Sequence, residues 1–276
     1  MTWLKKYASL WYLVIGFAFS WAFFLPYVYV ENVWEPRFFV IARILASFGP
    51  ALAALLLTGY IEGRSGVKRI LADVLSVSRN RKWIAAAFGL AGLAVLIPLA
   101  VLVYIHKVSL ARVTVQRLLF LIPNFFLNLL FFGSAADEIG WRGFLLPKLQ
   151  QTRSAVSASV FIGLLWGLWQ LPTYYFAGLV ESNLSPVWLF LETTALSIIL
   201  TWIFNSSRSL VGAIVFNGVF RTLTQFFLPF AEVTGNELVF QQLYTGVLVN
   251  MALIVLLFCG GKTLVFSYRP PKSGGS

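Results

Sequence analysis

Charge is scarce in this sequence. Only 11% of its 276 residues are Asp, Glu, Lys or Arg, against roughly 25% in an ordinary soluble domain. Histidine occurs once, as His106, and cysteine once, as Cys259. A single cysteine excludes an intramolecular disulfide. A single histidine excludes any site in this chain that needs two imidazoles. There is no internal repeat and no low-complexity tract.

What is there is apolar. Hydrophobic residues make up 59% of the chain, with 26 Phe and 10 Trp. No soluble core could bury that much apolar surface, so the bilayer must be the solvent for most of it. A transmembrane helix needs about 20 mostly apolar residues. The candidates are Leu10–Val30, Phe38–Tyr60, Trp83–Ile105, Leu118–Phe132, Val156–Leu171, Val187–Phe204, Leu210–Phe230 and Val239–Phe258. The runs are continuous, not alternating, which selects helices over a barrel. The expectation is an all-α integral membrane protein of about eight transmembrane helices. The fourth and fifth runs are short enough to be tilted or partly interfacial. One polytopic domain spans 1–271, and 272–276 reads as a flexible tail or expression remnant. The first run follows Lys5 and Lys6, as a signal peptide would. It is too long for one and lacks a small-residue cleavage pattern near Tyr27, so it reads as a retained anchor.

The net charge of +11 does not require nucleic acid. Lys and Arg collect on cytoplasmic loops because they resist translocation. With eight spans and both termini inside, 15 basic residues fall on inner segments, and 4 fall outside: Arg37, Lys107, Arg112 and Arg117. That split selects an inner (plasma) membrane protein with cytoplasmic termini. The bilayer is then the first partner and nucleic acid is none. The longest polar connection, Ile61–Lys82, carries Val67, Ile70, Leu71, Val74 and Leu75 at helical spacing. It suits an amphipathic helix on the inner leaflet, with peptide binding as the alternative. Trp3, Trp11, Trp34, Trp83 and Tyr104 sit near span ends, where aromatic belts form.

Ionisable residues within spans are costly and are usually paired or functional. Here they are Arg43, Asp137, Glu138, Arg142, Glu192 and Arg221. Glu138 and Arg142 are four apart, so a helix puts them on one face within salt-bridge reach. Asp137 then points elsewhere, toward another helix. Trp166 and Gln170 share a face by the same spacing, and so do Asn217 and Arg221. Polar groups in lipid surroundings seek one another, so these three helices should converge in one buried cluster. Arg43 reads as snorkelling or bonded to a carbonyl, with a substrate role as the alternative. Glu192 reads as nearly interfacial.

The run Asp137-Glu138-Ile139-Gly140-Trp141-Arg142-Gly143-Phe144-Leu145-Leu146-Pro147 resembles the first motif of the CAAX-protease and bacteriocin-processing (CPBP) family, Glu-Glu-x-x-x-Arg. Trp166-Gly-Leu-Trp-Gln170-Leu-Pro172 is similar to the second, Phe-x-x-x-His, and Phe216-Asn217-Gly-Val-Phe-Arg221 to the third, His-x-x-x-Asn. Ser47-Phe-Gly-Pro-Ala-Leu-Ala53 is similar to a stretch of the second helix of bacterial members. The family-like core covers about 47–225. The resemblance implies a helix bundle with its reaction centre sunk below the membrane surface. It also implies intramembrane endopeptidase chemistry: the first acid and the second-motif histidine activate a water, the third-motif histidine and asparagine stabilise the oxyanion, and the second acid and the arginine support the site.

At the matching positions this chain departs from the pattern. Asp137 keeps a carboxylate but is one methylene shorter than glutamate, and a misplacement of about an ångström can cost 10²-fold in rate. Gln170 can hold a water but cannot exchange a proton near neutral pH. Asn217 can still donate to an oxyanion. Arg221 puts a fixed cation where a neutral amide belongs. Glu138 and Arg142 are intact. His106 lies at the end of the third span, away from the motifs, so zinc would lack nitrogen and sulfur ligands and no cofactor is expected. The two acids and two arginines instead form a neutral set, with Arg221 expected to approach Asp137 or Glu138. Three readings stay open: a catalytically degenerate relative that binds another membrane protein or a hydrophobic peptide as scaffold, accessory subunit or regulator; an active endopeptidase using water activated by Asp137 and Glu138; and a small-molecule or lipid transporter.

Overall fold

A computed structural model describes residues 3–29, 36–77, 81–106, 108–110, 113–176 and 185–266. Trp34, Arg79, Lys107, Arg112, Arg269, Lys272 and the 272–276 tail lie outside the described residues, as does the Arg37 side chain. In chain order the helices are α1 (Trp3–Lys6), α2 (Ala8–Tyr29), α3 (Pro36–Ser47), α4 (Gly49–Leu75), α5 (Arg81–Tyr104), α6 (Val115–Leu119), α7 (Leu121–Leu130), α8 (Ser134–Gly140), α9 (Leu146–Leu149), α10 (Ala155–Phe176), α11 (Pro186–Ser207), α12 (Val211–Glu232) and α13 (Glu237–Cys259). A π-helical turn, Trp141–Leu145, joins α8 to α9. Eight helical stretches are long and apolar enough to cross a bilayer, and the described residues contain no strand.

Helix α12 is the centre of the bundle. Every residue from Val211 to Phe220 is buried, and a helix apolar all round belongs inside. It packs on α5, α7, α8 and α11. Helix α13 is the opposite case: Leu257 is 82% exposed and Phe258 69%, the surface expected to meet acyl chains. Helices α10 and α11 pack tightly. A Cβ on Gly163 would lie 2.5 Å from Thr194 Cα, and one on Gly167 2.7 Å from Phe190 Cδ1. Small residues let membrane helices approach this closely.

Two spans differ from the expectation. The fourth is not short: it runs from Val115 to Leu149 as α6, α7, α8, the π turn and α9. Gly133 breaks the helix, and Ser134, Asp137, Glu138 and Arg142 interrupt the apolar run, yet the chain is helical again from Ser134 onward because protein, not lipid, surrounds these groups. The fifth is a full helix of 22 residues. In the Ile61–Lys82 connection, α4 breaks at Gly63 (φ 70°, ψ −162°), a backbone only glycine adopts readily. Beyond the break Ile70 is 2% exposed, and Ser209 Oγ donates to the Asp73 carbonyl at 3.1 Å. That half is docked on the loop before α12.

Candidate active site

The site begins at a helix break. Helix α7 ends at Leu130, and Gly133 follows with φ 103°, so the last carbonyls of α7 lose their helical partners. Two side chains from other helices replace them. Ser47 Oγ donates to Phe131 O at 2.8 Å, and Arg221 Nη1 donates to Phe132 O at 3.1 Å. A cation at a helix C-terminus also faces the negative end of its dipole. Helix α8 then restarts and carries Asp137 and Glu138, both fully buried. It runs close to α2 and α4: a Cβ on Gly140 would stand 2.5 Å from both Pro50 Cβ and Tyr12 Oη.

Arg142, in the π turn, donates through Nη1 to Glu138 Oε1 at 3.3 Å. Asn217 Nδ2 donates to the same oxygen at 3.1 Å. Arg221 Nη2 donates to Asp137 Oδ2 at 2.7 Å, and its Nε donates to Asn217 Oδ1 at 3.0 Å. The chain of contacts Arg142–Glu138–Asn217–Arg221–Asp137 is thus continuous and its formal charges cancel. The expected approach of Arg221 goes to Asp137. α12 is about 33 Å long at 1.5 Å per residue, and Arg221 sits at its midpoint. π-helical turns recur at functional sites, and here one carries Arg142.

The α10 helix joins the cluster through Trp166. The Arg142 guanidinium lies over the Trp166 ring, 5.0 Å from its centroid. Gln170, one turn further on, is half-buried; Arg142, Asn217 and Arg221 donate to the carboxylates. Arg43 places its guanidinium over the Phe132 ring at 5.5 Å, beside Arg221. Glu192 is held inside the bundle, where Tyr244 Oη donates to its Oε2 at 3.2 Å. His106 is exposed and takes no part.

Tyr12, which lies outside the motif region, has no signature in the sequence. Its ring is 1% exposed, stacks on Phe144 at 5.3 Å and meets Trp141 edge-on at 5.6 Å. Its hydroxyl has no hydrogen-bond partner, and the same holds for Asp137 Oδ1, Glu138 Oε2, and Nε and Nη2 of Arg142. So many unpaired polar atoms in one place mark a polar interior able to hold a small polar group. Asn128 was also missed. Its Nδ2 donates to Asn124 O, Thr222 Oγ1 and Gln225 Oε1 at 3.0, 3.3 and 3.1 Å. Two asparagines four apart in an apolar run, Asn124 and Asn128, were the available signal. Beside this network an apolar groove of about 480 Å³ opens between α5, α7 and α12, lined by Phe88, Ile122, Phe125, Val219 and Leu223 among others.

The profile of the family described as Type II CAAX prenyl endopeptidase, Rce1-like, matches residues 117–223, the stretch that holds α8, the π turn, Trp166 and Arg221. Over that stretch the chain is similar to CAAX-protease-like (CPBP) proteins. A curated relative, CAAX prenyl protease 2 of Methanococcus maripaludis, is 28% identical over 144 residues, covering 50% of each chain. The chain therefore matches that CAAX protease over about half of the relative's length. The Glu138–Arg142 pair lies within the matched stretch.

Proposed function

We propose that this CAAX-protease-like chain is catalytically degenerate and works by binding, as a scaffold, accessory subunit or regulator of another membrane protein in the plasma membrane, with both termini cytoplasmic. The observation that carries the reading is the Arg221 guanidinium. It holds Asp137 at 2.7 Å and Asn217 at 3.0 Å, the positions that match the family's water-activating acid and oxyanion donor. A general base must exchange protons. Here the acid is tied to a permanent cation, and no imidazole stands nearby to relay a proton. The groove beside α12 gives a hydrophobic segment of a partner somewhere to lie. Metal chemistry does not fit these residues. Asp137 and Glu138 each already accept from a guanidinium, and among the described residues no three His, Cys, Asp or Glu side chains gather. Zinc sites draw on nitrogen or sulfur donors that this cluster lacks.

One observation favours an active endopeptidase instead. Asp137 Oδ1 and Glu138 Oε2 are buried and unpartnered, so each acid keeps an oxygen that could accept from a water. The deciding experiment incubates the purified chain with prenylated and short hydrophobic peptides, alongside Asp137→Ala. Binding without cleavage supports the degenerate reading. Cleavage abolished in Asp137→Ala replaces it with the endopeptidase.

A further inference from the structure

A second cavity, of about 670 Å³, opens between α5, α11 and α13. It shares no residue with the charged cluster. Its volume lies in the roughly 300–1,000 Å³ range of small-molecule sites. Leu90, Ile199, Trp202, Met251, Ile254 and Phe258 give it an apolar wall. One end is built from three helix ends: α5 starts at Arg81, α11 ends at Ser207 and α13 ends at Cys259. Trp83 and Trp202 meet edge to face there at 5.4 Å, and Asn205 Nδ2 fastens the turn beyond α13 by donating to Thr263 O at 2.8 Å.

That end carries four exposed cations. Lys82 follows Arg81 and precedes Trp83, Arg208 is two residues past Ser206, and Lys262 lies between Cys259 and Val265; Trp83, Ser206, Cys259 and Val265 all line the cavity. Ser209, next to Arg208, donates through Oγ to the Asp73 backbone carbonyl at 3.1 Å. Further along α13 the groove opens sideways to hydrocarbon, where the lining residue Ile254 is half-exposed.

We propose that this groove binds an anionic phospholipid, with one acyl chain along α11 and α13 and the phosphate among Arg81, Lys82, Arg208 and Lys262. The bilayer itself supplies chains to any apolar groove that opens sideways. The four cations choose the headgroup's sign, since each Lys or Arg near an anionic surface contributes about 1 kcal/mol. The tryptophan pair sits where indoles favour the headgroup level.

The test uses the full chain in detergent and native mass spectrometry, with phosphatidylglycerol and phosphatidylcholine of equal chain length. Phosphatidylglycerol should be retained about 30-fold or more in preference. The double variant Lys82→Gln, Lys262→Gln should weaken it roughly 30-fold, two charges at about 1 kcal/mol each, and leave phosphatidylcholine unchanged. A phosphatidylglycerol carrying a diazirine in its acyl chain should label α11 and α13, and Ile254→Trp, a change on a half-exposed lining residue, should abolish that label. Equal retention of the two lipids would overturn the proposal, as would label spread evenly over the bundle. Binding that appears only after residues 267–276 are removed would also overturn it, assigning the groove to the chain's own C-terminal segment.

Discussion

Helix α12 carries two polar networks, one charged and one neutral. Asn217 and Arg221 turn toward α8 and meet Asp137 and Glu138. Thr222 and Gln225 turn toward α7 and meet Asn128. Both are interhelical and both lie inside a membrane span. They differ in what is left when one member is removed. A broken amide pair leaves dipoles, which neighbours in the bundle partly satisfy. A broken ion pair leaves a net charge inside the bundle, at a cost several times higher. The charged network therefore dictates which neighbours α12 can have, and the neutral one tunes how firmly it sits.

The largest expected effect follows from that difference. Asp137→Ala frees the Arg221 guanidinium beside Arg43, and the loss should be about 3–5 kcal/mol, read as a steep fall in thermal midpoint in detergent. The double variant Asp137→Asn, Arg221→Gln removes the net charge and should recover more than half of that loss; no recovery would mean that packing, not charge, sets the cost. Asn128→Leu comes next, at about 0.6–1.7 kcal/mol, the span measured for hydrogen bonds between membrane helices. An Asn128 loss as large as that of Asp137 would erase the distinction between the networks. Tyr244→Phe removes a single hydrogen bond to Glu192 and should cost about 0.6 kcal/mol. Smallest of all is Arg69→Gln on the α4 surface. Its partner Glu62 is 2.7 Å away, but the side chains are 62% and 32% exposed, and water and salt reduce such a pair to under about 1 kcal/mol.

The eight-helix bundle could be read from the sequence because lipid solvation demands long apolar runs, and such runs are visible without any structure. The Glu138–Arg142 pair was legible because helical spacing fixes it, and the partnership of Arg221 with an acid followed from charge neutrality in a confined place. Three features were not legible. The length of the fourth span was hidden because hydropathy treats Asp137, Glu138 and Arg142 as interruptions, whereas the fold encloses them. Tyr12 was hidden because its role depends on α2 lying against α8, a contact between segments some 125 residues apart with no local signature. The contact of Arg142 with Trp166 was hidden because spacing assigns Trp166 and Gln170 to one face and cannot say which one Arg142 will meet.

Arg221 bonds to three different segments: the Phe132 carbonyl at the end of α7, the Asp137 carboxylate on α8 and its own helix neighbour Asn217. A change at this position therefore cannot act alone. A neutral side chain there would free an acid, strand a carbonyl and release an amide in one step. Any mutational route that changes the chemistry of this cluster is for that reason epistatic, with Gly133 and Phe132 as silent participants. Screens that swap the motif positions singly should find only losses, whereas combinatorial libraries that include the α7–α8 junction have a passage through.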